Sequence, residues 1–351
     1  MTEQLPTYRD LKDRLPLSSK QALFIQKSRH TIGRILCGQE PRLLCIVGPC
    51  SIHELDSALE FALRLKEASA ELSDRYFLVM RSYFEKPRSV SGWKGFLYDP
   101  FLDGSHAIER GLELSRAFLL ELARLEVPAG TEFLDPFTAF YYDDLISWGS
   151  IGARTSSSSI HRQLVSGLNI PVGFKNSVTG SIRAAVHGAF SASHPHIYMG
   201  LDSSARPSVI RTEGNPLSHI MLRGGETSPN YQAGSVAEAL ALLAHFQLPP
   251  RLLIDCAHDN SRKQYEAQVD VFQDVLQQIF RGNGWIRGVM FESHLLPGKQ
   301  PFPVDSARLK YGVSITDSCL DVDTLLSLLK ETAHFTTKSK ACIAHEYTQT
   351  T

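Results

Sequence analysis

The sequence predicts an α/β protein: a (β/α)8 barrel with an N-terminal arm and helix in front and one inserted β-hairpin. Three observations lead there. Short apolar strands alternate with amphipathic helices eight times if residues 196–214 are set aside as an excursion. The strands are apolar nearly throughout, as strands covered on both faces are. Each also ends on a charged or ligating side chain, which suits a fold that builds its chemistry at the carboxyl rim of a parallel sheet. A doubly wound open sheet is the alternative, but no GxGxxG follows the first strand, so its dinucleotide-binding version loses support.

In chain order, Pro6 and Pro16 break the first segment, which is expected to be a mobile arm. Ser18 or Ser19 caps a helix over SKQALFIQKSRHTIGRIL, stopped by Gly38. LLCIVGPC is the first strand; its apolar run, Leu43 to Val47, ends in a Gly-Pro turn that puts Cys50 just past the strand. A helix over Ser57–Leu72 follows, then the strand YFLVMRSYF and a glycine-rich loop, EKPRSVSGWKGFLYDPFLDGSH, longer than a structural turn needs. The pattern continues with a helix over Ile108–Leu125, the strand PAGTEFLD and a helix through Tyr142–Ser147. Next come the strand IGARTS, a helix after the serine run Ser156–Ser159, the strand PVGFKN and the helix Ser181–Ala192. HIYMGLD and SVIRTEG form the hairpin. The last three units are HIMLRGG with Ser235–Phe246, RLLIDCAH with Gln264–Phe280, and IRGVMFESH with Val322–Ala333. This divides the chain into an arm and helix (1–38), a catalytic barrel (39–335) and a C-terminal tail (336–351).

With 351 residues the chain can bury a sizeable core. A net charge of −1 and the absence of basic or acidic blocks argue against a nucleic-acid partner and a disordered acidic tail. No apolar run is long enough to span a bilayer, and the first sixteen residues hold no signal-peptide core. Six cysteines, Cys37, Cys45, Cys50, Cys256, Cys319 and Cys342, have no framework spacing, which fits a reducing cytoplasm and leaves thiols free to bind metal.

The strand tips carry Cys50, Arg81, Glu132, Arg154, Lys175, Arg223, His258 and Glu292 in order, with Lys86 and Arg88 in the second loop and Asp317 in the last. Any one of these is more simply a solvated strand end. As a set they are not, because a closed barrel converges its tips on one pocket where unpaired charge is costly. Arg81, Lys86, Arg88, Arg154, Lys175 and Arg223 are six cations that together call for an anion with more than one phosphate or carboxylate. Cys50, His258, Glu292 and Asp317 form a thiolate, imidazole and carboxylate set suited to a divalent transition metal and poorly suited to Mg²⁺. Taken singly, His258 is as good a supporting group and Asp317 as good a cap for the helix near Val322. Cys256, two residues before His258 and on the same side by alternation, is a candidate fifth ligand. His53 and His161 are read as loop histidines, His294 as a supporting group at most, Trp93 as loop packing, and Phe137, Phe140, Tyr141 and Tyr142 as core or subunit contact.

These stretches carry a family likeness. GPCSIHE, MRSYFEKPRSVSGWKG, TEFLDP, IGARTS, PVGFKN, HIMLRGG, IDCAHDNSRKQ, GVMFESH and YGVSITDSC closely resemble class I 3-deoxy-D-arabino-heptulosonate-7-phosphate (DAHP) synthase, in order from about residue 30 to the last helix. The resemblance implies a barrel that condenses phosphoenolpyruvate with erythrose 4-phosphate, the first step toward aromatic amino acids. It implies Cys50, His258, Glu292 and Asp317 as ligands of a divalent metal (Mn, Fe, Zn or Co). Arg81, Arg154, Lys175 and Arg223 would contact phosphoenolpyruvate, while Lys86, Arg88 and Ser89 would contact the aldehyde and phosphate of erythrose 4-phosphate. Glu132 would lie near the reacting carbons. Lys86 is the expected proton donor to the aldehyde oxygen, and Glu132 or the metal site the partner of the attacking water. The family also implies a homodimer or homotetramer and an aromatic amino acid effector. A relative acting on another sugar phosphate such as arabinose 5-phosphate, and a non-catalytic sensor that kept the pocket, are the alternatives; KPRS with GWKG opposes the first and the intact ligand set opposes the second.

The chain departs from the family pattern in its shorter arm and in four segments: PFTAFYY without the usual Pro-Gln pair, KNSVTG, HIMLRGGETSPNY and ARTSSSS. None touches the four ligands or the six cations, so they bear on the effector more than on catalysis. The aromatic run is expected to fill a former effector pocket.

Overall fold

The computed structural model describes residues 3–88, 92–302 and 308–333. Eight parallel strands close a barrel: β1 (Leu43–Gly48), β2 (Tyr76–Arg81), β3 (Ala129–Glu132), β4 (Trp148–Ile151), β5 (Val172–Lys175), β8 (His219–Leu222), β9 (Leu252–Asp255) and β10 (Ile286–His294). Closure is made by β1 against β10, with Leu44 beside Gly288 and Gly48 beside Glu292. The antiparallel hairpin of β6 (His196–Leu201) and β7 (Pro207–Thr212) is an insertion outside the barrel, and the two-residue β11 (Leu320–Asp321) pairs with the end of β10.

Strand periodicity sorts β1 into two layers. Leu44 and Ile46 point into the barrel with Val79, Tyr83, Trp148, Met221, Leu253 and Met290; Leu43, Cys45 and Val47 point outward into the larger core beneath the surrounding helices, which include α3 (Leu55–Glu71), α4 (Ile108–Arg124), α7 (Ile182–Ala192), α8 (Ala233–His245) and α9 (Ala267–Phe280). The long helix α2 (Ser19–Leu36) is capped by Ser18 and Gln21, each side chain bonding the other's backbone N–H. Its Ile32, Ile35 and Leu36 join the inner layer, so α2 plugs the amino-terminal mouth of the barrel. Among the described residues, no helix is long and apolar enough to cross a membrane.

Three local expectations change. Residues 8–14 are not a loose arm but a short helix, α1 (Tyr8–Arg14), with Leu11 fully buried, Tyr8 stacked on Phe140, and Lys12 bonded to Asp143 at 2.6 Å. The fourth strand lies earlier than IGARTS, over Trp148–Ile151; from Gly152 the chain turns, with Thr155 and Ser156 donating back to the Gly152 carbonyl. The helix placed at Tyr142–Ser147 is α5 (Pro136–Tyr142), started by the Asp135 cap and Pro136 in its first turn, and followed by a single 3₁₀ turn over Asp143–Leu145. The tail from residue 334 lies outside the described residues.

Candidate active site

At the carboxyl end of the barrel a cavity of about 270 Å³ is lined by all six cations, Arg81, Lys86, Arg88, Arg154, Lys175 and Arg223, and by Glu132, His258 and Asp317. Ser89 lies outside the described residues. Burial grades the cations by depth: Arg81 is fully buried, Lys175 and Arg223 nearly so, and Arg88 is exposed at the rim. Gly48 lets Arg81 in. A Cβ there, at φ +150°, would stand 3.0 Å from the Arg81 carbonyl oxygen.

Three of the four expected metal ligands meet beside the cations, with His258 next to them. Ligand atoms of Cys50, Glu292 and Asp317 all lie within 4.8 Å of one another, and His258 adjoins them, its Nε2 3.5 Å from Glu292 Oε1. Burial pushes the Cys50 thiol up to about 11, with Glu292 adding to the rise and Lys86, its Nζ 3.0 Å from Sγ, opposing it. Burial would raise Asp317 too, but Lys86 and His258 hold its carboxyl below the usual range. Crowding a thiol and two carboxylates in a dry site favours a cation among them, so these residues fit a divalent metal. Asp317 is free for this because the last helix, α10 (Val322–Thr332), is capped instead by Asp321, which accepts from Thr324 N–H at 2.8 Å. Cys256 is not near this group. It packs in the outer core, because strand alternation stops at Asp255 and the chain then turns through His258 at φ +52°. His258, Arg262 and Lys263 all have left-handed backbones, each costing on the order of 1–3 kcal/mol, a concentration of strain typical of working loops.

The sequence reading missed Asp255. This fully buried carboxylate puts one oxygen, Oδ2, 3.0 Å from Lys175 Nζ and 2.8 Å from His258 Nδ1, the latter an ion-pair distance off the line of the N–H bond. Burial would raise it, yet His258 and Lys175 hold it far below the ordinary carboxylate range. Glu292 plays a matching part on the other side: its Oε1 is 3.1 Å from Arg81 Nη2, and Gln268 bonds its backbone N–H and C=O. Arg81 also lies over the Tyr83 ring, 4.0 Å from the centroid. Arg223 is paired with Asp259 at 2.6 Å. The signal for Asp255 was present: a charge two residues on from the inward-facing Leu253, in a strand with no reason to face water.

Of the other candidates, His161 is tied to Ser158 and the Leu134 carbonyl, and His53 lies edge-on to His294 with ring centroids 5.9 Å apart. Trp93 donates to the Asp99 carbonyl within its loop. Phe140 of the aromatic run forms part of the wall of two cavities, of about 440 and 590 Å³, bordered by β6, β7 and the helix α6 (Ser159–Gly167). Both are larger than the barrel-mouth cavity, but neither gathers its convergent charge.

Comparison with known proteins agrees over nearly the whole chain. The family model described as the DAHP synthetase I family matches residues 15–330. The Tyr-sensitive phospho-2-dehydro-3-deoxyheptonate aldolase of Escherichia coli (strain K12) is 44% identical over 327 residues, covering 93% of this chain and 92% of its own. The Trp-sensitive enzyme of the same strain is 46% identical over 318 residues, 91% of each. The solved structure of phospho-2-dehydro-3-deoxyheptonate aldolase from Francisella tularensis SCHU S4 superposes with a TM-score of 0.94 at 38% identity, covering 97% of this chain and 99% of that one.

Proposed function

The chain belongs to the DAHP synthetase I family and is an enzyme of aldol-type condensation; from that premise we propose the reaction and the part each residue takes. Phosphoenolpyruvate, D-erythrose 4-phosphate and water give DAHP and phosphate, the first step of the shikimate pathway. The observation that carries this is one cavity lined by the six cations, His258 and Asp317, with Cys50 and Glu292 grouped against Asp317 at its side.

Arg81, Lys175, Arg154 and Arg223 hold the phosphate and carboxylate of phosphoenolpyruvate, the buried pair deepest. Lys86 and Arg88, with Ser89, hold erythrose 4-phosphate above it. Fixing the two substrates at attack distance supplies much of the rate. Cys50, His258, Glu292 and Asp317 would hold a divalent metal, which when bound would supply Lewis-acid polarisation of the aldehyde. The thiol favours Mn, Fe, Zn or Co over Mg. Lys86 gives its proton to the aldehyde oxygen as the carbon–carbon bond forms. Burial alone would weaken its hold on that proton, and the neighbouring Cys50, Glu292 and Asp317 strengthen it. Glu132 receives the proton of the water that adds to the former enol carbon, and phosphate leaves.

Further proposals concern the rest of the molecule. We assign residues 39–335 to the catalytic body and residues 1–38 to the arm and helix, of which α1 and α2 pack against that body. The exposed apolar face of the hairpin, Ile197, Met199 and Val209, supports a homodimer or homotetramer. The names of the Tyr- and Trp-sensitive relatives support an aromatic amino acid effector. Free thiols, five among the described residues, support the cytoplasm.

The test is phosphate release from purified protein. Release that needs phosphoenolpyruvate, erythrose 4-phosphate and a divalent metal together, with a product of the DAHP mass, is expected. Release with arabinose 5-phosphate instead would move the assignment to another sugar phosphate, and none under any condition would leave a sensor.

A further inference from the structure

We propose that Glu85 is a positioning residue for the aldose phosphate: its carboxyl ties the segment bearing Lys86 and Arg88 to α5, and so fixes where those two cations stand. The proposal deepens the condensation assigned above and rests on it.

The tie is explicit. Glu85 is 4% exposed. Its Oε2 accepts from Thr138 Oγ1 at 2.8 Å and from Tyr142 OH at 3.0 Å, and both donors lie on α5. The other face of the segment is closed by the glycine-rich loop. Lys86 N–H donates to the Lys94 carbonyl at 2.8 Å, Leu97 N–H donates to the Phe84 carbonyl at 3.1 Å, and a Cβ on Gly95 would overlap that same carbonyl oxygen. Glu85 is thus held against α5 at the edge of the cavity that both residues help to line, while Lys86 reaches across, its Nζ 3.0 Å from Cys50 Sγ. Arg88 is steadied next along by its Nε bond to the Trp93 carbonyl at 2.8 Å.

The carboxyl suits a neutral tether. Burial pushes Glu85 up to about 8, the two hydroxyls oppose that rise, and the nearby Asp135 and Glu132 reinforce it. Its Oε1 is buried without a partner, a position a neutral carboxyl tolerates far better than an anion. The groups assigned to phosphoenolpyruvate, Arg81, Arg154, Lys175 and Arg223, lie outside this segment. Loosening it should therefore fall on one substrate.

Steady-state kinetics on the wild type, Glu85→Ala, Glu85→Gln and the double variant Thr138→Val/Tyr142→Phe test this. Glu85→Ala and the double variant should raise KM for erythrose 4-phosphate roughly 10–100-fold, the scale of an ångström-level misplacement, with KM for phosphoenolpyruvate within about twofold. Glu85→Gln should restore near-wild-type values, because its amide oxygen still accepts from both hydroxyls. Equal rises in both KM values, a lower melting temperature with both KM values unchanged, or a Gln variant as impaired as Ala would each overturn the proposal. Should Glu85→Ala fail to fold, the double variant decides alone. A wild type that does not turn over the two substrates would sink the condensation itself, and this inference with it.

Discussion

Replacing Asp255 by Asn changes almost no volume but removes one buried charge that two neighbours share. Lys175 Nζ at 3.0 Å and His258 Nδ1 at 2.8 Å both depend on the same oxygen. At an effective dielectric near 20, the Lys175 attraction alone is about 5 kcal/mol, of which burial of the two groups offsets a large share. Stripping one partner from a buried pair costs about 3–5 kcal/mol, because the survivor is left charged in a dry site. The second effect is on His258, whose ring loses the group that orients it. Loss of such a supporting contact lowers metal affinity about 10–100-fold. Asp255→Asn should therefore unfold at lower urea, retain less Mn²⁺ in a competition titration against a chelator, and show a raised KM for phosphoenolpyruvate through Lys175. Wild-type metal affinity together with wild-type KM would refute the bridging role assigned to this carboxylate.

Other expectations are direct. Cys50→Ala should retain no metal after dialysis and show no turnover, with a circular dichroism spectrum like that of the wild type. Arg154→Ala should raise KM for phosphoenolpyruvate far more than for erythrose 4-phosphate, measured by phosphate release. Ile32→Ala, in the fully buried plug of the barrel, should cost about 2–5 kcal/mol by urea unfolding. The raised Glu85 carboxyl gives a pH signature. The folded state keeps a proton the unfolded chain has lost between about pH 4.3 and pH 8, so wild-type stability from this group is full below about 4.3 and falls as pH rises toward 8. Glu85→Gln lacks that slope, so its stability relative to wild type should improve between pH 5 and 8.5 in urea melts.

The barrel was legible because its strands are apolar runs with turn residues at both ends, and because charge collects at the same end of each. The cations were found for that reason: Arg81 and Lys175 close β2 and β5, and Arg223 follows β8 directly. Features set by register were harder. Asp255 hid inside a run that looked like core, and Cys256 was given the wrong side because alternation was carried past the last strand residue. The start of α5 was signalled by Asp135-Pro136, a cap followed by a proline in the first turn, but the aromatic residues after it drew the helix too far along. Docking of residues 8–14 depends on Tyr8 meeting Phe140 and Lys12 meeting Asp143, contacts more than 130 positions apart that no local pattern encodes.

Among the described residues, the helix stopper at the lower mouth leaves the chamber open at its upper end. Whatever rests on Arg81 and Lys175 sits at the back of a blind alley, and whatever rests on Arg88 stands in the exit. If the substrates rest as proposed above, the enol phosphate should enter before the sugar phosphate, an order that product-inhibition patterns would reveal.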